Sequence, residues 1–259
     1  MGADETPKDP TMVEYPIVTT AIVSDAPKDG HVQWRKESVK LREPLADEIL
    51  VQIVASGICH TDVALSLLPE DTPNYAPYPK IMGHEGSGVV ERVGSGVTHV
   101  KAGDKVLLSF DFCGKDGCRG CVDETPGYCD VFHSKNLFCV PDVYQTEGGK
   151  STSGLFFGQS SFSKLALVKG TSAVNVEGLV KSEEELKLFA PLGCGYQTGA
   201  GAVTEFANVG KHDEIAVSST IATRGRYLVL LTRNPRSLDS VVSAWRLSWY
   251  VRVESKSAD

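Results

Sequence analysis

From Ile17 onward the apolar residues of the chain recur mostly at every second position, the period of a half-buried strand. IVTTAIV (residues 17–23) is rich in β-branched residues and predicts a strand. HVQWRKESVKL (31–41) begins as an alternating strand with Val32 and Trp34 on one face. EILVQIVASG (48–57) sets Ile49, Val51, Ile53 and Ala55 on one side. GSGVVERVGSGV (86–97) and DKVLLSF (104–110) continue the pattern, with glycine turns between strands. Short strands at this spacing predict a fold that is mostly β with short helices, built on a partly closed barrel over residues 15–200. Helical spacing is confined to HTDVALSLL (60–68), SEEELKLF (182–189) and a stretch from about Thr198 to Asn208. The second of these opens on Ser182 with Glu185 three residues later, the sequence of a capping box. EIAV (214–217) reads as one buried strand.

Composition adds limits. The 259 residues are 41% hydrophobic and 23% charged, with net charge −7. That profile suits a globular chain with a real core, and it argues against a nucleic-acid partner, which needs a basic surface. No run reaches the roughly 18 apolar residues of a membrane span. The opening MGADETPKDP is acidic and lacks an apolar segment, so residues 1–14 are expected to be a disordered tail and the protein cytoplasmic. Charge also marks a boundary. Residues 219–259 carry seven Lys/Arg against three Asp/Glu, a local +4, and the remainder stands at −11. Residues 201–217 are therefore read as an interrupted segment and 218–259 as an unrelated, poorly ordered tail.

Four of the seven cysteines lie in CGKDGCRGCVDETPGYC, spaced C-x4-C-x2-C-x7-C. Disulfides need an oxidising compartment, which nothing in the sequence supplies. Scattered buried thiols are rarely this dense. Spacers of two to four residues suit zinc, and glycines 114, 117, 120 and 127 permit the tight backbone. Four thiolates from Cys113, Cys118, Cys121 and Cys129 fill a tetrahedral ion and leave no position for a substrate, so such a zinc is structural.

Three further stretches hold potential ligands: GICHTD (57–62), GHEGSGVV (83–90) and PLGCGYQTGAGA (191–202). Singly, each cysteine or histidine reads equally well as core. Taken in order with GDKV (103–106) and the four-cysteine loop, they resemble the zinc-containing medium-chain alcohol dehydrogenases. FFGQSSFS (156–163) and the wording of PLGCGYQTGAGA lean toward the aryl-alcohol branch. The resemblance covers residues 15–217 and implies a GroES-like β-barrel catalytic domain. It implies two zinc ions: the structural one above, and a catalytic one held by Cys59, His84 and Cys194 with one position open. It also implies roles for their neighbours. Thr61 takes the alcohol proton, Asp62 holds the second ring nitrogen of His84, Glu85 lies behind the metal, and His60 faces the cofactor pyrophosphate. The relay histidine that some members carry is Ala64 here. The first spacer of the cysteine loop has four residues where the family has two, and the extra pair is expected to bulge outward at Asp116-Gly117. Thr61 and Asp62 read equally well as caps of the helix behind them, and Cys139 reads as core.

One family feature is missing. A dinucleotide site needs a glycine-rich turn between a strand and a helix. After EIAV comes SSTIATRGRYLVLL, with no glycine until Gly225. Residues 218–226 are too few for a parallel crossover, so this stretch can form at most a hairpin with residues 227–231. Residues 201–217 are therefore read as the start of a Rossmann cofactor domain that is otherwise essentially absent, although NAD(P) is the cofactor the family implies. The expected function is hydride transfer between a primary, aryl-type alcohol or aldehyde and NAD(P), by a truncated chain inactive alone. The alternative is a zinc-binding interaction module without catalysis. A homo-oligomer that shares a nucleotide site stays open.

Overall fold

The computed structural model describes residues 15–206 and two strand segments, 216–222 and 226–232. The chain divides after Gly195 into two units. In the first, ten strands follow one another: β1 (Ile17–Lys28), β2 (His31–Leu41), β3 (Glu48–Gly57), β4 (Lys80–Ile81), β5 (Glu85–Val93), β6 (Lys105–Leu108), β7 (Val140–Thr146), β8 (Ser151–Gly154), β9 (Leu165–Lys169) and β10 (Ala173–Asn175). Four short helices interrupt them: α1 (His60–Ser66), α2 (Arg119–Val122), α3 (Phe132–Leu137) and α4 (Glu183–Leu188). A fifth, α5 (Gly195–Gly201), passes into a π turn that ends at Phe206. The helix expected from Thr198 thus begins three residues earlier, and its expected end at Asn208 lies outside the described residues.

The strands separate into two sheets. β1-β2-β7-β8-β4 close into a barrel, and β10-β6-β5-β3-β9 form an open five-stranded sheet. Nearly all pairings are antiparallel; β4 and β8 are parallel. The alternation in β1 and β2 does what its period dictates. Ala21, Val23, Val39 and Leu41 point into one core with Leu50, Val143, Tyr144 and Leu167.

β3 departs from simple alternation. Ile49 and Val51 enter a second core with Val90, Val106, Leu108, Ala166 and Val168. Leu50, on the opposite face, is equally buried in the first. One strand therefore serves both cores. Irregular register between Ile53 and Ala55 then resets its pairing with β5. Trp34 on β2 packs edge-on against Phe162, with centroids 5.9 Å apart, and donates its indole N–H to Ser66 Oγ at 2.9 Å, which ties the barrel to the end of α1.

The capping box at α4 forms by half. Ser182 Oγ accepts from the Glu185 N–H at 3.2 Å, but the Glu185 carboxylate reaches the Lys181 N–H at 2.7 Å, one residue before the cap. In the second unit, β11 (Ala216–Ala222) and β12 (Arg226–Thr232) pair antiparallel, the hairpin geometry that short intervening length permits. The EIAV strand thus starts at Ala216 and runs on to Ala222, into the segment expected to lack order. The expectations for residues 1–14 and 233–259 fall outside the described residues. No helix among the described residues is long and apolar enough to cross a membrane.

Where β3 leaves the loop before it, Glu48 is fully buried. Arg42 grips it with two nitrogens at 2.7 and 3.0 Å, the Leu45 N–H donates at 3.0 Å and Lys169 Nζ lies 2.9 Å away. Burial alone raises this carboxyl, but Arg42, the Leu45 amide and Lys169 outweigh it and hold it at about 2. A lowered carboxylate pKa stabilises the fold fully above the unfolded value and loses that contribution as pH falls through the folded value. Glu48→Gln is expected to lose ~2–3 kcal/mol at pH 7. Urea unfolding of both proteins should show the difference shrinking below about pH 4.5 and vanishing near pH 2.

Candidate metal centres

The cysteine loop leaves β6 and runs over residues 109–129. Its four sulfurs converge, all within 4.8 Å of one another. Cys113 and Cys121 lie 3.7 Å apart, beyond the 2.05 Å or so of a disulfide, and all seven cysteines are free thiols. α2 starts directly after Cys118, which puts Cys121 one turn on. Gly120 is needed there, because a Cβ would stand 2.4 Å from the Tyr128 carbonyl oxygen. Backbone N–H groups of Cys113 and Asp130 point at the sulfurs of Cys129 and Cys118, both at 3.4 Å. The Asp130 amide is the main cause of a Cys118 thiol lowered to about 7. The longer first spacer does no harm to the set. Residues 114–117 are exposed, and the Lys115 carbonyl closes the turn onto the Cys118 N–H at 3.0 Å.

The second set draws on three distant segments. Cys59 caps α1, His84 sits just before β5, and Cys194 follows the 3-10 turn 190–193. Their ligand atoms also lie within 4.8 Å of one another. Cys59 and Cys194 place their sulfurs 3.9 Å apart. A tetrahedral zinc with Zn–S near 2.3 Å separates two sulfurs by about 3.8 Å, so both thiol sets fit that ion.

His84 supplies a sharper test. It is only 2% exposed, its Nδ1 lies 3.0 Å from Asp62 Oδ1, and its buried Nε2 has no hydrogen-bond partner. A buried imidazole nitrogen left open is costly unless something fills it. With Nδ1–H donated to Asp62, Nε2 carries the lone pair a cation needs. The set has three ligands, the number that leaves a tetrahedral ion one free position.

Asp62 is the hub beneath this site. It is fully buried and accepts from the Cys59 N–H at 2.9 Å and the Gly83 N–H at 3.0 Å, besides facing His84. It therefore caps α1 and orients the imidazole together. Thr61 Oγ1, half-buried, stands 3.7 Å from Cys59 Sγ. Glu85 is buried, accepts from the Gly195 N–H at 3.1 Å, and lies so close to Gly57 that a Cβ there would meet its carboxylate. His60 is exposed at the first residue of α1. Cys139 is half-buried with φ of 54°, and burial pushes its thiol up to about 12.

Without a cation the charges compensate one another. The Cys194 S–H and then His84 lower the Cys59 thiol to about 3, while Cys194 shifts upward. Burial opposes charge on His84, but Asp62 and Cys59 outweigh it and raise the ring to about 9. Burial and the Cys59 charge raise Glu85. A divalent cation inverts this order by replacing the protons.

Residues 155–163 form a wall that the sequence reading left without residue roles. Phe157 stacks on His84, with centroids 4.6 Å apart at 24°, and Phe156 meets the same ring edge-on at 5.5 Å. Leu155, Phe157 and Ser160 all have left-handed backbone, φ of 51–58°, a conformation that costs a non-glycine residue roughly 1–3 kcal/mol. Gln159 is fully buried and bonded on three sides. Composition gives no warning of these contacts.

A barrel and an open sheet thus carry one four-thiol set and one Cys-His-Cys set, each with its ligand atoms close enough to hold a metal ion. Residues 45–178 match the alcohol dehydrogenase GroES-like domain, and the chain belongs to that family. It is 44% identical over 153 residues to a probable alcohol dehydrogenase of a Pseudomonas species, covering 57% of this chain and 45% of that protein. To the geraniol dehydrogenase of Castellaniella defragrans it is 37% identical, over 70% of this chain and 47% of the relative. Among solved structures, an alcohol dehydrogenase zinc-binding domain protein from Burkholderia ambifaria superposes with a TM-score of 0.66 at 35% identity, covering 76% of this chain and 51% of that one. The benzyl alcohol dehydrogenase of Acinetobacter calcoaceticus gives 0.62 at 34% identity, over 76% and 51%. The chain spans about half the length of the relatives it matches.

Gly193, next to Cys194, has no room for a side chain: a Cβ would stand 1.9 Å from the Leu108 carbonyl oxygen. Gly193→Ala is expected to destabilise the domain by about 1–3 kcal/mol through overpacking against backbone. Denaturant titration measures this, and mass-spectrometric thiol labelling should show Cys194 reacting faster than in the wild type.

Proposed function

We propose that the chain is the metal- and substrate-binding half of a zinc-dependent alcohol dehydrogenase, acting on a primary alcohol or the matching aldehyde with NAD(P) as hydride partner. One observation carries the reading. Three ligands from segments far apart in sequence converge with the buried Nε2 of His84 unpartnered at their centre. Cys59, His84 and Cys194 would hold the catalytic ion, and Cys113, Cys118, Cys121 and Cys129 the structural one. Zinc at the first set supplies Lewis-acid chemistry, lowering the pKa of a bound alcohol toward neutrality.

The chain's own residues supply the rest. Asp62 holds the Nδ1 proton of His84 and so keeps Nε2 free. Thr61, beside Cys59, accepts the hydroxyl proton of the alcohol and passes it toward solvent; with Ala64 in the next turn, no histidine follows it there. Glu85 backs the set from the side of Gly57 and Gly195. The half-exposed face of Phe157, beside His84, favours a flat substrate group, which supports the aryl preference. His60, exposed at the start of α1, would meet the cofactor's phosphates. From residue 214 onward the sequence holds a single glycine, Gly225, and so no glycine-rich turn of the kind a dinucleotide needs.

Purified chain is expected to hold two zinc equivalents by elemental analysis. Cys59→Ser should retain one and keep its melting transition. Cys113→Ser should also lose one but melt at a markedly lower temperature, because a closed thiolate site adds its binding free energy to folding. A single equivalent in the wild type, or equal unfolding of both variants, would overturn the division into an open and a closed site.

NADH titrated into the isolated chain should show no saturable fluorescence change at micromolar cofactor. Saturable binding would place a nucleotide site in this chain or in an oligomer of it.

A further inference from the structure

Two side chains, Gln159 and Ser109, link the backbone at His84 to the backbone just before Cys194. Gln159 is fully buried and lies outside the ligand set. Its Nε2 donates to the His84 carbonyl at 3.0 Å and to the Ser109 carbonyl at 3.0 Å. Its Oε1 accepts from the Gly86 N–H at 3.1 Å. The amide thus bridges the backbone on either side of Glu85 and uses both of its donors. Gly86 makes room for it, since a Cβ there would stand 2.8 Å from Oε1. Ser109 carries the connection on: its hydroxyl donates to the Gly193 carbonyl at 3.1 Å, directly before Cys194. From one metal ligand to the other the chain of bonds runs His84, Gln159, Ser109, Gly193, Cys194.

We propose that Gln159 is a positioning residue that fixes the spacing of His84 and Cys194 and thereby sets the metal affinity of the open site. The proposal rests on the reading that Cys59, His84 and Cys194 hold a metal. Only an amide fits the role, because the cavity presents two carbonyl oxygens and one N–H. A glutamate in its place would set a carboxylate against two carbonyls, and a leucine would leave all three backbone groups unpaired. The four-cysteine set shares no member of this chain of bonds and serves as an internal reference.

The test is titration of the metal-free full chain with Co2+, following the thiolate charge-transfer and visible d–d bands, with a competing chelator to give affinities. Wild type should bind two equivalents with two distinct spectra. Gln159→Leu is expected to weaken the open site by roughly 10–100-fold, the usual loss when a ligand's supporting partner is removed, and to shift its bands. The closed-site spectrum should not move. Ser109→Ala, which breaks only the last link, should give a smaller shift of the same bands. Two equivalents in wild type with unchanged affinity and bands in Gln159→Leu would overturn the positioning role alone. Should Gln159→Leu fail to fold, Ser109→Ala decides: a shifted open-site spectrum supports the role, and an unshifted one overturns it. One equivalent in wild type, with only the closed-site spectrum, would instead overturn the metal reading beneath it.

Discussion

Asp62 is the constraint on which the site depends. A fully buried carboxylate is costly unless its lone pairs are filled, and here three groups fill them: the Cys59 amide, the Gly83 amide and the His84 ring. Each of those groups belongs to a segment that carries Cys59 or His84. The carboxylate cannot be satisfied unless the N-terminus of α1 and the start of β5 meet, and when they meet Cys59 and His84 are already in place. Helix capping and the convergence of Cys59 with His84 are one structural event in this fold.

The two sheets explain why the meeting point is where it is. β3 contributes to both hydrophobic cores and delivers Cys59 just past its end, while its neighbour β5 begins beside His84. The third ligand comes from the far end of the unit. It is held by backbone contacts that tolerate no side chain at Gly193 and by the amide of Gly195 on Glu85. Gly193 serves close approach of chains, whereas Gly83, beside His84, also takes a left-handed φ of 93°.

The candidate ligands that the fold brings together were legible in the sequence and much of their support was not, for a physical reason. Cysteine and histidine at ligand spacing are chemically specialised, so Cys113 to Cys129 stand out without any structure. Asp62 stood out only beside GICHTD. Gln159 and Ser109 act on backbone carbonyls and amides, which every residue possesses, so nothing in their identity marks the partners. The division of the strands between a closed barrel and an open sheet was equally hidden, because it depends on pairing across long separations, such as β4 beside β8. Local periodicity reported which residues face inward but not which of two interiors they face. At Glu185 the sequence signal was right about the cap and one residue off about the reciprocal bond, a matter of side-chain reach.

The two thiol sets differ in one further respect, the length of chain each must close. Cys113 and Cys129 are 16 residues apart, whereas Cys59 and Cys194 are separated by 135. Closing the longer loop costs about 2 kcal/mol more in chain entropy, by the logarithmic dependence on length. It also requires most of the domain to have left the ribosome. The four-cysteine loop is self-contained and is complete as soon as Cys129 emerges. The two thiol sets therefore become available in a fixed order during synthesis. The local four-cysteine set can close first, and the Cys59, His84 and Cys194 set only once the chain through Cys194 is present.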